Sequence, residues 1–183
     1  MGGIFDTDVK RNPWALANKV FVGYCSSDSW VGWSEAWFNI GHGDLTVYFR
    51  GQKIVEGVVA TLMAPEFGLA TASRILFGGC SEGGRGAMAT IDYMTGKEPA
   101  GASQVQFPTT ADVRGFFDGA MQLDIDVYDT AVAAVSMQNQ TAEALVYLNA
   151  TGRMGSNCNL AFDPFPSHVV RAVRGSRPRR SRA

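Results

Sequence analysis

The stretch ILFGGCSEGGRGAM, residues 75–88, runs an apolar segment into two glycines, then Cys80 and Ser81, then Glu82 and two more glycines. A flexible turn does not need four glycines around one serine. The alternative is a serine held on a sharp strand-to-helix turn, within the pattern Gly79-Cys80-Ser81-Glu82-Gly83, the G-x-S-x-G spacing of a nucleophile elbow. On such a turn the serine backbone is strained, so residues such as Gly79, Gly83 and Gly84 must lack side chains that would strike the strand or the helix start. The helix that follows turns backbone N–H groups and a positive dipole end toward the serine, which suits a developing oxyanion. The Glu82 N–H is the expected oxyanion donor. A phosphate-binding turn fits less well: there is no G-x-x-x-x-G-K-[ST] here, and Gly79 does not open a G-x-G-x-x-G.

The flanking sequence supplies the strand and the helix. Residues 73–79, SRILFGG, read as a strand leading into Ser81, and residues 83–94 read as a helix carried by Ala87, Met88, Ile91 and Met94. Upstream, KVFVGY (19–24) and LTVYF (45–49) read as strands. Ile54, Val55, Val58, Val59, Leu62 and Met63 form one face of a helix ending near Pro65. Downstream, DVRGFF (112–117) reads as a strand and 127–148 as a helix with Val132, Val135, Ala144, Leu145 and Leu148 toward the core. Strands alternating with helices predict an α/β fold with a mostly parallel sheet and helices on its faces.

Residues 1–160 are expected to be one partial domain, and 161–183 a Pro/Arg-rich disordered tail. The last thirteen residues hold six arginines and no acid, so the overall net charge of −1 hides a body of −7 over residues 1–170. That acidic body argues against nucleic acid as a partner of the core. No apolar run reaches membrane-span length, and MGGIFDTDVKR has no signal-peptide core. Cys25, Cys80 and Cys158 are too far apart in sequence for a zinc pattern, and they leave one disulfide plus a free thiol, or three thiols, equally open. Metal-ligand clusters are absent, and a serine nucleophile needs neither metal nor cofactor. Asn139 and Asn149 head N-x-T tripeptides that matter only in a secreted chain.

Several blocks carry a resemblance. Val22-Gly23-Tyr24-Cys25-Ser26-Ser27-Asp28, then Tyr48-Phe49-Arg50-Gly51, then Gly79-Cys80-Ser81 with Gly83-Gly84, then Val113-Arg114-Gly115-Phe116-Phe117-Asp118 resemble, in order, blocks of the pectin acetylesterase/Notum family of serine carboxylesterases. Cys158 is similar to a later family cysteine. The resemblance spans roughly residues 14–160 and implies an α/β-hydrolase-like fold that is incomplete in this chain. It implies a Ser-His-Asp triad that removes acyl groups, and an extracellular or cell-wall location. The substrate it implies is an acylated carbohydrate, pectin-like, or another acyl ester. Carried over by position, it assigns Ser81 as nucleophile and the Glu82 N–H as oxyanion donor.

Three departures accompany it. The family's glycine-rich oxyanion loop lies upstream of the first block, and its triad Asp and His lie beyond the cysteine region, so a truncated gene product is expected. Glu82 replaces a small residue, and a carboxylate there opposes an oxyanion unless it points away or pairs with Arg85. His42 is expected at the surface. His168, after Asp163, is a weak match to a base because a Pro-rich segment holds both. Asp28 is expected to organise its own loop, and Trp30, Trp33 and Trp37 to pack into the core on one helical face rather than line a sugar or acyl pocket. Two competing readings are a catalytically inactive hydrolase-like domain that binds polysaccharide or protein, and an unrelated serine hydrolase whose own His and Asp lie within the chain.

Overall fold

The structure is a computed structural model, and it describes residues 3–39, 46–96, 105–120, 144 and 147–150. Two short strands, β1 (Trp37–Asn39) and β2 (Thr46–Tyr48), pair antiparallel. Helix α1 (Gly51–Leu62) follows, then β3 (Arg74–Cys80), α2 (Glu82–Met94) and β4 (Asp112–Asp118). β3 and β4 are parallel and in register from Arg74 opposite Asp112 to Cys80 opposite Asp118. The β3–α2–β4 succession is thus a parallel pair joined by a crossover that contains a helix, the unit from which α/β folds are built. The strands expected at 73–79 and 112–117 and the helices expected after Arg50 and Ser81 all form.

Alternation along β3 and β4 decides which residues meet the helices. Ile75, Phe77 and Val113 join a core with Val59 of α1, Tyr93 and Met94 of α2, and Phe107. Phe77 and Phe107 meet edge to face with ring centroids 5.3 Å apart. Gly115 lies on the same side, and a side chain there would strike Phe117 and Ile91. A second cluster gathers Val31, Leu148 and Ala150, with Phe49 and Ala89 against it. α2 therefore touches both clusters, the second through Ala89 and the first one turn later through Tyr93 and Met94.

Several expectations are corrected. KVFVGY (19–24) carries no strand, and Val20 and Phe21 are exposed. A β-prone run becomes a strand only where a neighbour satisfies its N–H and C=O groups, and among the described residues none pairs with it. In α2, Ala87 and Met94 are buried as expected, but Met88 is exposed and the buried set is instead Gly84, Gly86, Ala87, Thr90, Tyr93 and Met94. The helix lies so close to β4 and the 29–30 loop that mainly small residues fit its inner face. Of the helix expected over 127–148, Ala144 and Tyr147 are helical, with Leu148 N–H bonded to the Ala144 carbonyl at 2.8 Å. Leu148 is buried and Ala144 exposed; Val132, Val135 and Leu145 lie outside the described residues. The proposed tail, 161–183, also lies outside them.

Candidate active site

Ser81 sits between the last residue of β3 and the first of α2, at φ 54° and ψ −118°. That is the conformation of the first central residue of a type II′ turn, normally glycine's, and a non-glycine residue occupies it at a cost of order 1–3 kcal/mol. Two backbone bonds hold it: Ser81 N–H donates to the Asp118 carbonyl at 2.8 Å, and Arg85 N–H donates to the Ser81 carbonyl at 3.0 Å. The first ties the serine to the end of β4, and the second starts the helix. The Ser81 side chain is left exposed at the C-terminal end of the strand pair.

The neighbouring glycines do different jobs. A Cβ on Gly79 would come within 2.6 Å of the Gly83 carbonyl carbon, and one on Gly84 within 2.7 Å of the Ala120 Cβ and 2.8 Å of the Gly79 carbonyl oxygen. These two permit the tight strand-to-helix turn. A Cβ on Gly83 would meet nothing nearer than the Trp30 indole nitrogen at 3.9 Å. Glu82 and Gly83 open the first turn of α2, where N–H groups have no carbonyl of the same helix to accept them. They are the groups available to an anion above Ser81.

The Glu82 side chain is turned aside. One carboxylate oxygen pairs with Arg85 at 3.0 Å, and the other accepts the Ser29 hydroxyl proton. A carboxylate here is tolerated if it points away or pairs with Arg85, and the Arg85 pair forms. The Ser29 contact has no signature in the sequence, because it joins residues 53 positions apart.

The loop that supplies Ser29 is itself strained. Ser27, Ser29 and Trp30 have φ of 52°, 53° and 63°, and with Ser81 they make four of the five described non-glycine residues at positive φ. Asp28 explains how the loop is held. It is buried, and its carboxylate accepts the Ser26 hydroxyl at 2.5 Å, the Trp30 N–H at 3.0 Å and the Gly51 N–H at 2.6 Å. The last of these caps the start of α1 with a negative charge, where the helix dipole favours one. Asp28 is thus structural, as expected, and Gly32 and Gly51 lie so close to its carboxylate that a side chain on either would overlap it.

Tyr24 completes the loop by accepting the Ser29 N–H at 2.7 Å and packing on Trp30 with ring centroids 5.3 Å apart. Partial burial pushes the Tyr24 phenol pKa up, opposed by the Ser29 N–H bond and reinforced by the Glu82 and Asp28 charges. The three tryptophans do not share a buried helical face. Residues 30–36 are not helical; Trp30 is buried, Trp33 lies under the Lys53 ammonium at 5.0 Å, and Trp37 is exposed on β1.

Cys25 and Cys80 are both free and exposed. The Cys80 thiol donates to the Asp118 carboxylate, and this bond, then the Asp118 charge, pushes its pKa up. Less of it is therefore thiolate at a given pH than in an ordinary cysteine. Two open clefts of about 340 Å³ each lie elsewhere, one along Ile54, Val58, Leu62 and Phe67 and one between Cys25–Ser27 and Val47–Phe49; neither is lined by Ser81. His42, Cys158, Asp163 and His168 lie outside the described residues. Among the described residues no three His, Cys, Asp or Glu side chains gather as a metal site, and no helix is long and apolar enough to cross a membrane.

Comparison with known proteins places this geometry. A family model described as Pectinacetylesterase matches residues 1–174. The human palmitoleoyl-protein carboxylesterase Notum is 33% identical over 135 residues, covering 72% of this chain and 26% of that protein. Pectin acetylesterase 5 of Arabidopsis thaliana is 32% identical over 105 residues, covering 55% of this chain and 23% of that one. A crystal structure of the Wnt deacylase Notum from Drosophila superposes with a TM-score of 0.65 and 27% identity, over 94% of this chain and 46% of that chain. The chain thus spans about a quarter of the length of these curated relatives. The likeness bears out the α/β class that the strand and helix order predicted and the α/β-hydrolase-like form that the family resemblance implied.

Proposed function

The chain belongs to the pectinacetylesterase family, and from that premise we propose that it carries the nucleophile of a serine carboxylesterase removing O-acyl groups, acetyl above all, from a pectin-like polysaccharide. The observation that carries the reading is Ser81 at φ 54° and ψ −118° between β3 and α2. In this reading the Ser81 hydroxyl oxygen attacks the ester carbonyl carbon, and its proton passes to a histidine. The carbonyl oxygen becomes an oxyanion facing the Glu82 N–H at the start of α2. Collapse breaks the ester C–O bond and the sugar leaves as an alcohol with the proton returned by the histidine; water, giving its proton to the same base, then cleaves the acyl-serine to acetate and free Ser81. No cofactor enters these steps. The chain has two histidines, His42 and His168. Both lie outside the described residues, and an extracellular or cell-wall setting belongs to the same proposal.

The test is covalent labelling of the full chain with a fluorophosphonate, followed by acetate release from acetylated pectin. Stoichiometric labelling that disappears in Ser81→Ala is the expected result. Folded protein that takes up no label at Ser81 would overturn the assignment. Faster release of a long fatty acyl group than of acetate would overturn the substrate class while leaving the nucleophile in place.

A further inference from the structure

A negative charge directly after a nucleophilic serine opposes the oxyanion that the helix start is built to receive. Here that charge is engaged on both oxygens: Glu82 pairs with Arg85 one turn along α2 at 3.0 Å, and accepts the Ser29 hydroxyl from a different segment. Ser29 is in the left-handed region, next to Trp30, which is also left-handed. The Ser29 carbonyl and the Trp30 Cβ press so closely on α2 that a side chain on Gly86 would overlap them. The strained loop therefore lies on the first turns of the elbow helix, and Glu82 is the polar link between the two. Among the described residues, Arg85 pairs with it from its own helix, and the Tyr24 phenol of the loop lies within reach of its charge.

We propose that the Glu82 side chain is a charge-neutralised clasp. One oxygen fastens the 27–30 loop to the elbow; the other is held by Arg85, so that the carboxylate does not counteract the oxyanion donor on its own backbone. Glu82, through its side chain, and Arg85 are positioning residues in this scheme, which rests on the assignment of Ser81 as nucleophile. The Glu82 and Arg85 side chains are 34% and 35% exposed, so solvent screens the pair and the expected effects are modest.

The test compares fluorophosphonate labelling rates of the full chain in the wild type, Arg85→Ala, Arg85→Lys and the double variant Arg85→Ala/Glu82→Gln. Arg85→Ala should label about three- to tenfold more slowly, with the deficit shrinking as salt is raised. Arg85→Lys should keep most of the rate. The double variant should return to within about twofold of wild type, because glutamine still accepts the Ser29 hydroxyl but carries no charge. A purely structural ion pair would leave the double variant as slow as the single one, and that result, or an unaffected Arg85→Ala, overturns the proposal. Amide exchange reads the clasp without activity. Ser29→Ala and Glu82→Ala should raise exchange at residues 27–30 about tenfold or more while leaving Val55 and Val59 protected, and unchanged protection of the loop overturns it. Absence of Ser81-dependent label in the wild type counts against the nucleophile assignment alone.

Discussion

At the scale of single residues, the four glycines around Ser81 look alike in the sequence and are not alike in space. A Cβ on Gly84 would be wedged against Ala120 and the Gly79 carbonyl, whereas one on Gly83 would meet nothing nearer than 3.9 Å. Gly84→Ala should therefore cost about 1–3 kcal/mol by overpacking, while Gly83→Ala should gain about 0.5–1 kcal/mol from helix propensity; urea unfolding of the two variants checks both signs. Cys80 makes a second residue-level prediction. A bond to Asp118 favours the protonated thiol, so its thiolate fraction at a given pH lies below that of an ordinary cysteine. The pH profile of Cys80 modification by iodoacetamide should lie above that of an ordinary cysteine, and Asp118→Asn should shift it down; an unshifted profile contradicts the assignment. The elbow itself was legible because glycine is the sequence's plain mark of a backbone under steric constraint. The strain at Ser27, Ser29 and Trp30 was not, since a serine or tryptophan forced to positive φ leaves no such mark.

At the scale of elements, the helices were read from apolar spacing, and α1 shows where this works. Val55, Val59 and Met63 reach the core at the expected intervals, whereas Ile54, Val58 and Leu62 of the same expected face line an open cleft. α2 shows where it fails: its inner face is set by how near β4 and the 29–30 loop come, so glycine and threonine are buried while Met88 is not. KVFVGY shows the complementary limit, because strand pairing depends on a partner that a local pattern does not reveal. What starts α1 was only half legible. Asp28 was expected to organise its own loop, and it does, yet it also receives the Gly51 N–H from 23 positions away. Removing it strands three donors (Ser26 O–H, Trp30 N–H and Gly51 N–H) in a buried position. Asp28→Ala should cost at least about 3 kcal/mol, and Asp28→Asn roughly half that, because one acceptor oxygen remains. The measurement is the urea midpoint at unchanged slope; an Asp28→Ala loss under about 1 kcal/mol would show that the carboxylate does not anchor α1.

At the scale of the whole molecule, two apolar clusters could behave as separate units or as one. The first holds Val59, Ile75, Tyr93, Met94 and Phe107, and the second Val31, Leu148 and Ala150. They share no residue, but α2 runs through both, and the Asp28–Gly51 bond joins the loop leading to Val31 to the helix that carries Val59. Trp33 N–H, bonded to the Leu148 carbonyl at 2.7 Å, fastens residues 147–150 to that same loop. A helix melts cooperatively over its length, since each hydrogen bond depends on its neighbours being formed. Loss of either cluster should therefore release α2 from the other. Met94 is completely buried, so Met94→Ala should cost about 2–5 kcal/mol, and Leu148→Ala a similar amount. Because the two side chains have no common partner, the penalties should add to within about 0.5 kcal/mol. Together they take up most of the 5–15 kcal/mol typical of a domain, so the double variant should be largely unfolded. Amide exchange at Ile75 and at Val31 should follow one urea midpoint in each single variant. Two midpoints would mean that α2 frays between Ala89 and Tyr93, and that the elbow at its start is held by the loop cluster alone.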